Sequence, residues 1–413
     1  MEKTLRINTG SAMLLNEKSE MLSGYDSINI NSGNTIISRK VYEKLTDMGV
    51  MINCGNMKIL DITGKLVELD GNTTVTASTS LNGCFVVCDG NLIVEDVKGL
   101  EGITGLYAKH LFHAESVDLG AVHNIEARAK SIYPDNAKLH IGNITVDETT
   151  PVTLTDNTLY WVHGNIKALN ADALGELCSK GVTFHCTKLI IYNEMYEQNG
   201  SMVSADSFIF IPDDHNVVGD ITLDAATAPL YGENLFVLGD LMIPYNQTQH
   251  LNGFLSLIVK GTVTMPVSAA SAFKAVGKAD DFELYDGVLM SINGYHTFGH
   301  EQCQTAIERG ITYTIKVNGS LYFMNDVTAQ DMDAISAVYC NGIISAPDRA
   351  RGILDGKAKE INGTILDIDA MLKKLHGDDF TLGDNPFEMI QKVIKQISGD
   401  GDGSTINSGS FRL

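Results

Sequence analysis

The turn Ile211-Pro212-Asp213-Asp214-His215 sets two carboxylates beside an imidazole, and Asp220 follows five residues later. Carboxylates held on neighbouring strands can act as the acid and the base of glycoside hydrolysis, so Asp213, Asp214 and Asp220 are candidate acids. Proline followed by two aspartates is also ordinary turn chemistry, because Asp side chains hydrogen-bond to nearby backbone. A second grouping, His296, His300 and Glu301, spaces two imidazoles at i and i+4. On a helix that spacing could hold a metal, but Gly299 interrupts the run and no HExxH occurs. The expectation is a loop that leads into a helix over 301–309, with His300 near its start. His110 and His113 are weaker candidates of the same kind. Asp400, Asp402 and Ser404 match the first half of a calcium loop, without the glycine and the acid that such a loop needs at positions six and twelve. Cys84 and Cys88 fall on one strand face with no further ligand near in sequence, which predicts packing. No phosphate-binding glycine loop is present. No residue is therefore assigned a catalytic, cofactor-binding or metal-ligating role, and no cofactor is expected.

The remainder of the chain agrees with that reading. The full pattern of pectin-degrading β-helix enzymes is missing: neither Asn-Thr-Asp nor Gly-His-Gly occurs, and the arginines at 349 and 351 are remote from Asp213. Sugar-binding faces favour aromatic platforms, yet the one tryptophan, Trp161, sits inside a strand pattern. A net charge of −21, with no block of Lys and Arg to offset it, argues against nucleic acid and anionic membranes as partners. The seven cysteines, at 54, 84, 88, 178, 186, 303 and 340, are odd in number and lack a CxxC, which predicts free thiols in a reducing compartment. Residues 1–6 contain no apolar stretch of the signal-peptide kind, and no apolar run of about 18 residues exists. The expected location is cytoplasmic.

What must position any site is a repeat. The pattern apolar, any, Gly, polar, apolar, any, apolar occurs at 217–223, 237–243 and 259–265, with further copies centred on Gly90, Gly142, Gly164, Gly319 and Gly363. Gly219, Gly239 and Gly261 are 20 and 22 residues apart. A step near 22 is the mark of a solenoid coil. Strict alternation, as in Leu255, Leu257, Val259, Gly261, Val263 and Met265, places one strand face in a core. The glycines share the inward phase, which predicts a sharp corner where a Cβ would strike the interior. The copies at 217–223 and 237–243 resemble the coils of bactofilins, bacterial cytoskeletal β-helices. That resemblance covers a few strands and implies a β-helical scaffold.

A longer unit of strand, short helix, closing glycine and strand ends at Gly49, Gly181 and Gly310, 132 and 129 residues apart. Ser38 and Asn170 are expected N-caps, the glycines expected left-handed C-caps, and Thr328 to Asp331 an expected capping box for a helix at about 329–339. The expected fold is mainly β: a parallel β-solenoid over 1–367, in modules of about 1–150, 151–290 and 291–367. Short helical excursions decorate it. A helical cap is expected over 368–397, where Phe387, Ile390, Ile394 and Ile397 share a face, and a flexible Gly/Ser/Asp-rich tail over 398–413. The function expected of it is a non-enzymatic scaffold or protein-interaction protein that self-associates through an open N-terminal edge near residues 5–37. The alternative is a carbohydrate-binding or carbohydrate-active protein that uses the carboxylates named above.

Overall fold

The computed structural model describes residues 3–16, 24–362, 364–366 and 404–412. The chain is mainly β and divides into two compact units, one of residues 1–210 with 391–413 and one of residues 211–390.

The first unit holds three sheets. The first contains β1 (Thr4–Leu14), β2 (Ser27–Ser38) and β3 (Met51–Leu60). The second contains β4 (Lys65–Leu69), β5 (Asn72–Val75), β6 (Cys84–Val94), β7 (Gly105–Ala114) and β8 (Ile125–Tyr133). The third contains β9 (Ala137–Ile141), β10 (Ile144–Val146), β11 (Leu159–Ala168), β12 (Thr183–Tyr192) and β13 (Val203–Ile211). The strand Ser404–Arg412 completes the first sheet by pairing in parallel with β1, from Leu5 opposite Ser404 to Met13 opposite Arg412. Part of the segment that composition assigns to a flexible tail is therefore a strand, and the edge of β1 expected to be open is covered. The helical cap expected over 368–397 lies outside the described residues.

In the second unit, β14 (Asn216–Val218), β16 (Asn234–Val237), β18 (Ser256–Val259) and β20 (Gly277–Lys278) form one sheet. Their continuations β15 (Ile221–Thr222), β17 (Leu241–Met242), β19 (Thr262–Pro266) and β21 (Asp281–Tyr285) form another, so each chain segment crosses from sheet to sheet at its corner. The last sheet runs β22 (Val288–Phe298), β23 (Tyr313–Phe323), β24 (Ile335–Ser345), then β25 (Ala358–Ile361) and β26 (Thr364–Leu366), which both pair with β24.

Where the register is described, the pairing is parallel. Partners are separated by 19 residues at Lys65 and Cys84 and by 25 at Val288 and Tyr313. Parallel neighbours need a crossover, and short helices supply several of them: α1 (Arg39–Asp47), α2 (Thr150–Thr153), α3 (Ala171–Ser179), α4 (Asn193–Asn199), α5 (Ala270–Val276), α6 (His300–Glu308) and α7 (Asp348–Lys357). Ser38 accepts from the Val41 amide at 3.3 Å, and Asn170 from that of Ala173 at 2.9 Å. Gly49, Gly181 and Gly310 close α1, α3 and α6 at φ of 72°, 68° and 65°. These local expectations are realised. The helix expected at 329–339 is not. Thr328 and Asp331 do hydrogen-bond to each other, but they start one 3-10 turn, Gln330–Ala334, and β24 begins at Ile335. The strongly β-prone Ile335-Ser336-Ala337-Val338-Tyr339 run overrides the cap.

The corner glycines have a different cause from the one expected. A Cβ on Gly33 would lie 2.9 Å from the carbonyl oxygen of Gly10, and one on Gly342 would lie 2.0 Å from that of Gly319. The obstacle there is the backbone of the neighbouring strand and not the apolar interior; of the glycines read as corners, Gly90, Gly164, Gly261 and Gly319 meet such a backbone, Gly239 meets the Asp220 side chain, and Gly142 and Gly219 meet nothing within 4 Å. The polar residue that follows the glycine has a role as well. Asp220 Oδ1 accepts from the Asp240 amide, and Asp240 Oδ1 from the Thr262 amide, each at 2.8 Å. Asn143 does the same for the Asn165 amide at 2.8 Å. Each side chain satisfies a backbone donor that the bent rung above it leaves unpaired. Asparagine amides also stack from rung to rung, Asn53 on Asn31 at 3.0 Å and Asn31 on Asn8 at 2.9 Å.

Alternation places Leu257, Val259, Val263 and Met265 in a core with Phe254 and Phe273, and places Ile315, Val317, Leu321 and Phe323 in another. Leu255 departs from its expected inward phase: it precedes β18 and is 72% exposed.

Candidate functional site

Three places bring chemistry-bearing side chains together. The first is the Asp213 turn. His215 is buried; its Nδ1 meets Asp214 Oδ1 at 2.7 Å and its Nε2 meets Ser256 Oγ at 2.9 Å. The order serine, histidine, aspartate is that of a nucleophilic relay. The environments are inverted, however: the imidazole is sealed in, while the carboxylate that should be buried is exposed and also accepts from Asn234 Nδ2 at 3.0 Å. Since Asn234 pairs with Ser256, the grouping ties the turn to the two following rungs. Asp220 is engaged with the Asp240 amide, as above, and Asp214 with His215 and Asn234.

The second place is the end of β22 and the start of α6. His296 lies within β22 and packs edge-on to Phe298 at 5.1 Å, whereas His300 opens α6. The i, i+4 spacing is thus split between a strand and a helix. Gly299 donates its amide to Gln302 Oε1 at 3.0 Å, which starts α6 one residue earlier than expected. His300 Nδ1 instead meets Asp331 Oδ2 at 2.8 Å. Asp331 is fully buried and also accepts from Gln304 Nε2 at 2.6 Å and from the Thr328 amide at 2.6 Å. Burial alone would raise this carboxyl; the converging donors outweigh it and hold the group at about 2. The hydrogen bond that His300 donates to Asp331 raises the imidazole in turn. The pair locks the start of α6 to the 3-10 turn before β24. Sequence reading placed Asp331 in a cap but missed the histidine, since 31 residues separate them.

His110 and His113 are both in β7. His110 Nε2 meets Ser131 Oγ at 2.9 Å and its ring stacks on Phe112 at 4.1 Å, while His113 bonds to backbone. Trp161 stacks on His185 across β11 and β12 at 3.7 Å. The seven cysteines are free thiols; Cys84 and Cys88 pack in the core of the second sheet, and burial pushes Cys186 and Cys303 up to about 11. Asp400 and Asp402 lie outside the described residues. Among the described residues, no cluster of three His, Cys, Asp or Glu could hold a metal ion, and no helix is long and apolar enough to cross a membrane.

The third place was not foreseen. In the first unit a cleft of about 490 Å³ separates the first and second sheets. Ser11, Asn34, Asn56 and Ser410, in register on all four strands of the first sheet, form one line of its wall. Met13, Ile36, Lys58 and Arg412 form another. Tyr107 and Lys109 of β7, Glu126 and Arg128 of β8, and Asp89 face them. A signal for the fourth strand exists in the sequence: Asn407-Ser-Gly-Ser410 repeats Asn8-Thr-Gly-Ser11 and Asn31-Ser-Gly-Asn34.

Comparison with known protein families, with curated proteins and with solved structures finds no match for this chain.

Proposed function

We propose that the sheets are coils of a β-solenoid, and that the protein is a non-enzymatic scaffold that binds protein partners, further copies of itself among them, along the edges of its sheets. The observation that carries this reading is the character of the edge strands. In the first unit, β13 presents Phe208 and Phe210, both exposed, stacked on each other at 5.4 Å and flanked by Tyr196. In the second unit, edge strand β21 presents exposed Phe282 and Leu284. An unpaired strand edge with apolar side chains beside it is a template for another strand, and aromatic residues supply the contact area. The repeating step of the parallel rungs supports the solenoid reading.

The carbohydrate reading draws no comparable support. Asp214 and Asp220 serve neighbouring rungs, and Trp161 is paired with His185.

Light scattering on a sizing column across a concentration series tests the scaffold reading. The wild-type mass should grow with concentration, or settle at a defined multimer. Phe208→Lys with Phe210→Lys should lower it. A monomer at every concentration would remove self-association from the proposal and leave only the binding of other proteins.

A further inference from the structure

We infer that the cleft in the first unit is a binding site for a small organic anion carrying a phosphate or carboxylate group. The argument starts from its charges. Four cations reach the cleft, Lys58, Lys109, Arg128 and Arg412, against two acids, Asp89 and Glu126. Both acids are engaged. Arg412 bonds to Asp89 at 3.0 Å, and to Asp70 at 2.7 Å, while Lys58 pairs with Glu126. Lys109 and Arg128 remain, and among the described residues neither forms an ion pair.

These two are neighbours. Ala108 pairs with Ala127 and His110 with Ala129, which sets Lys109 beside Arg128 on adjacent strands. Like charges so placed repel. In a chain of net charge −21 acidic residues are abundant, yet among the described residues none forms an ion pair with either of these two. An oxyanion in the cleft would. Arg128 offers a planar fork that matches phosphate or carboxylate, and Lys109 adds a second positive charge. The opposite wall carries the Asn34 and Asn56 amides and the Ser11 hydroxyl, suited to the hydroxyls of a polar body. Met13 and Ile36 give it an apolar floor. The volume is within the range of small-molecule sites, roughly 300–1,000 Å³.

The site also depends on the C-terminal strand. Arg412 contributes to the wall and is held by Asp89 of β6 and by Asp70 in the turn between β4 and β5, so strand Ser404–Arg412 joins the two walls. The anion site is independent of the scaffold reading, because it uses neither β13 nor β21.

Calorimetric titration at low ionic strength tests the inference, with inorganic phosphate, glucose 6-phosphate and glucuronate as charged probes and glucose as the neutral control. At least one charged probe should bind the wild type, more weakly as salt is added, and glucose should not. Lys109→Gln with Arg128→Gln should weaken binding by roughly tenfold or more. Both side chains are exposed, so the variant should fold, which its circular dichroism checks. Lys274→Gln, in the second unit, should bind as the wild type does. No binding of any charged probe at millimolar concentrations would overturn the proposal. So would binding that the double substitution leaves unchanged, or that glucose reproduces.

Discussion

At the scale of single residues, the polar side chains are spent chiefly on joining one part of the chain to another. The His300 and Asp331 pair is the clearest case. The histidine is raised when folded, so its contribution is complete below its unfolded value of about 6.5 and disappears as pH rises through the raised value. The aspartate is lowered to about 2, so its contribution is complete above its unfolded value of about 3.9 and is lost as pH falls toward about 2. The advantage of the wild type over His300→Gln in urea midpoint should therefore be larger at about pH 5 than at about pH 9. A difference that does not change with pH would show that the imidazole acts by packing and not by charge. Asp331→Ala strands the donors of Gln304 and Thr328 in a buried place and should cost about 3 kcal/mol. The N-caps were legible in sequence because a cap and its amide are three residues apart. Asp331's histidine was not, because only the chain's return brings it near.

At the scale of elements, the strand Ser404–Arg412 has the largest consequence. It covers β1 over a register that runs from Leu5 to Met13 and packs Phe411 against the core of the first sheet. A chain that ends before Ser404 should expose the N–H and C=O groups of β1. Amides of residues 5–14 should then exchange faster, and the solution mass should rise as the edge recruits other strands. Unchanged exchange would mean that β1 does not need this partner. The strand was hard to read from sequence because much of its composition, Ser, Thr, Asn and Gly, is that of a loop. Only the Asn-x-Gly-Ser spacing betrays it, and a rung gains its stability from the neighbour it stacks on.

At the scale of the whole molecule, the chain divides into two compact units whose sheets have separate cores, so damage to one core should stay near its source. Leu321 is 1% exposed in the core of the last sheet. Leu321→Ala should cost roughly 3 kcal/mol and accelerate hydrogen exchange across β22 to β26, with the strands of the first sheet unaffected. Equal loss of protection in both would mean that the two units open together.

The sequence by itself determined the mainly β class, and the N-caps and closing glycines of α1 and α3. Each of these rests on alternation or on contacts within a few residues. Tertiary structure alone decided what the corners touch. Gly90, Gly164 and Gly319 answer to the carbonyl of a glycine on the neighbouring strand, and Asp220 and Asp240 answer to an amide about 20 residues on, whatever chemistry their types allow. It also brought Ser404–Arg412 to β1 and set Lys109 and Arg128 opposite the first sheet. Such contacts join segments far apart in the chain, and their partners are chosen by packing and register, which local spacing does not encode.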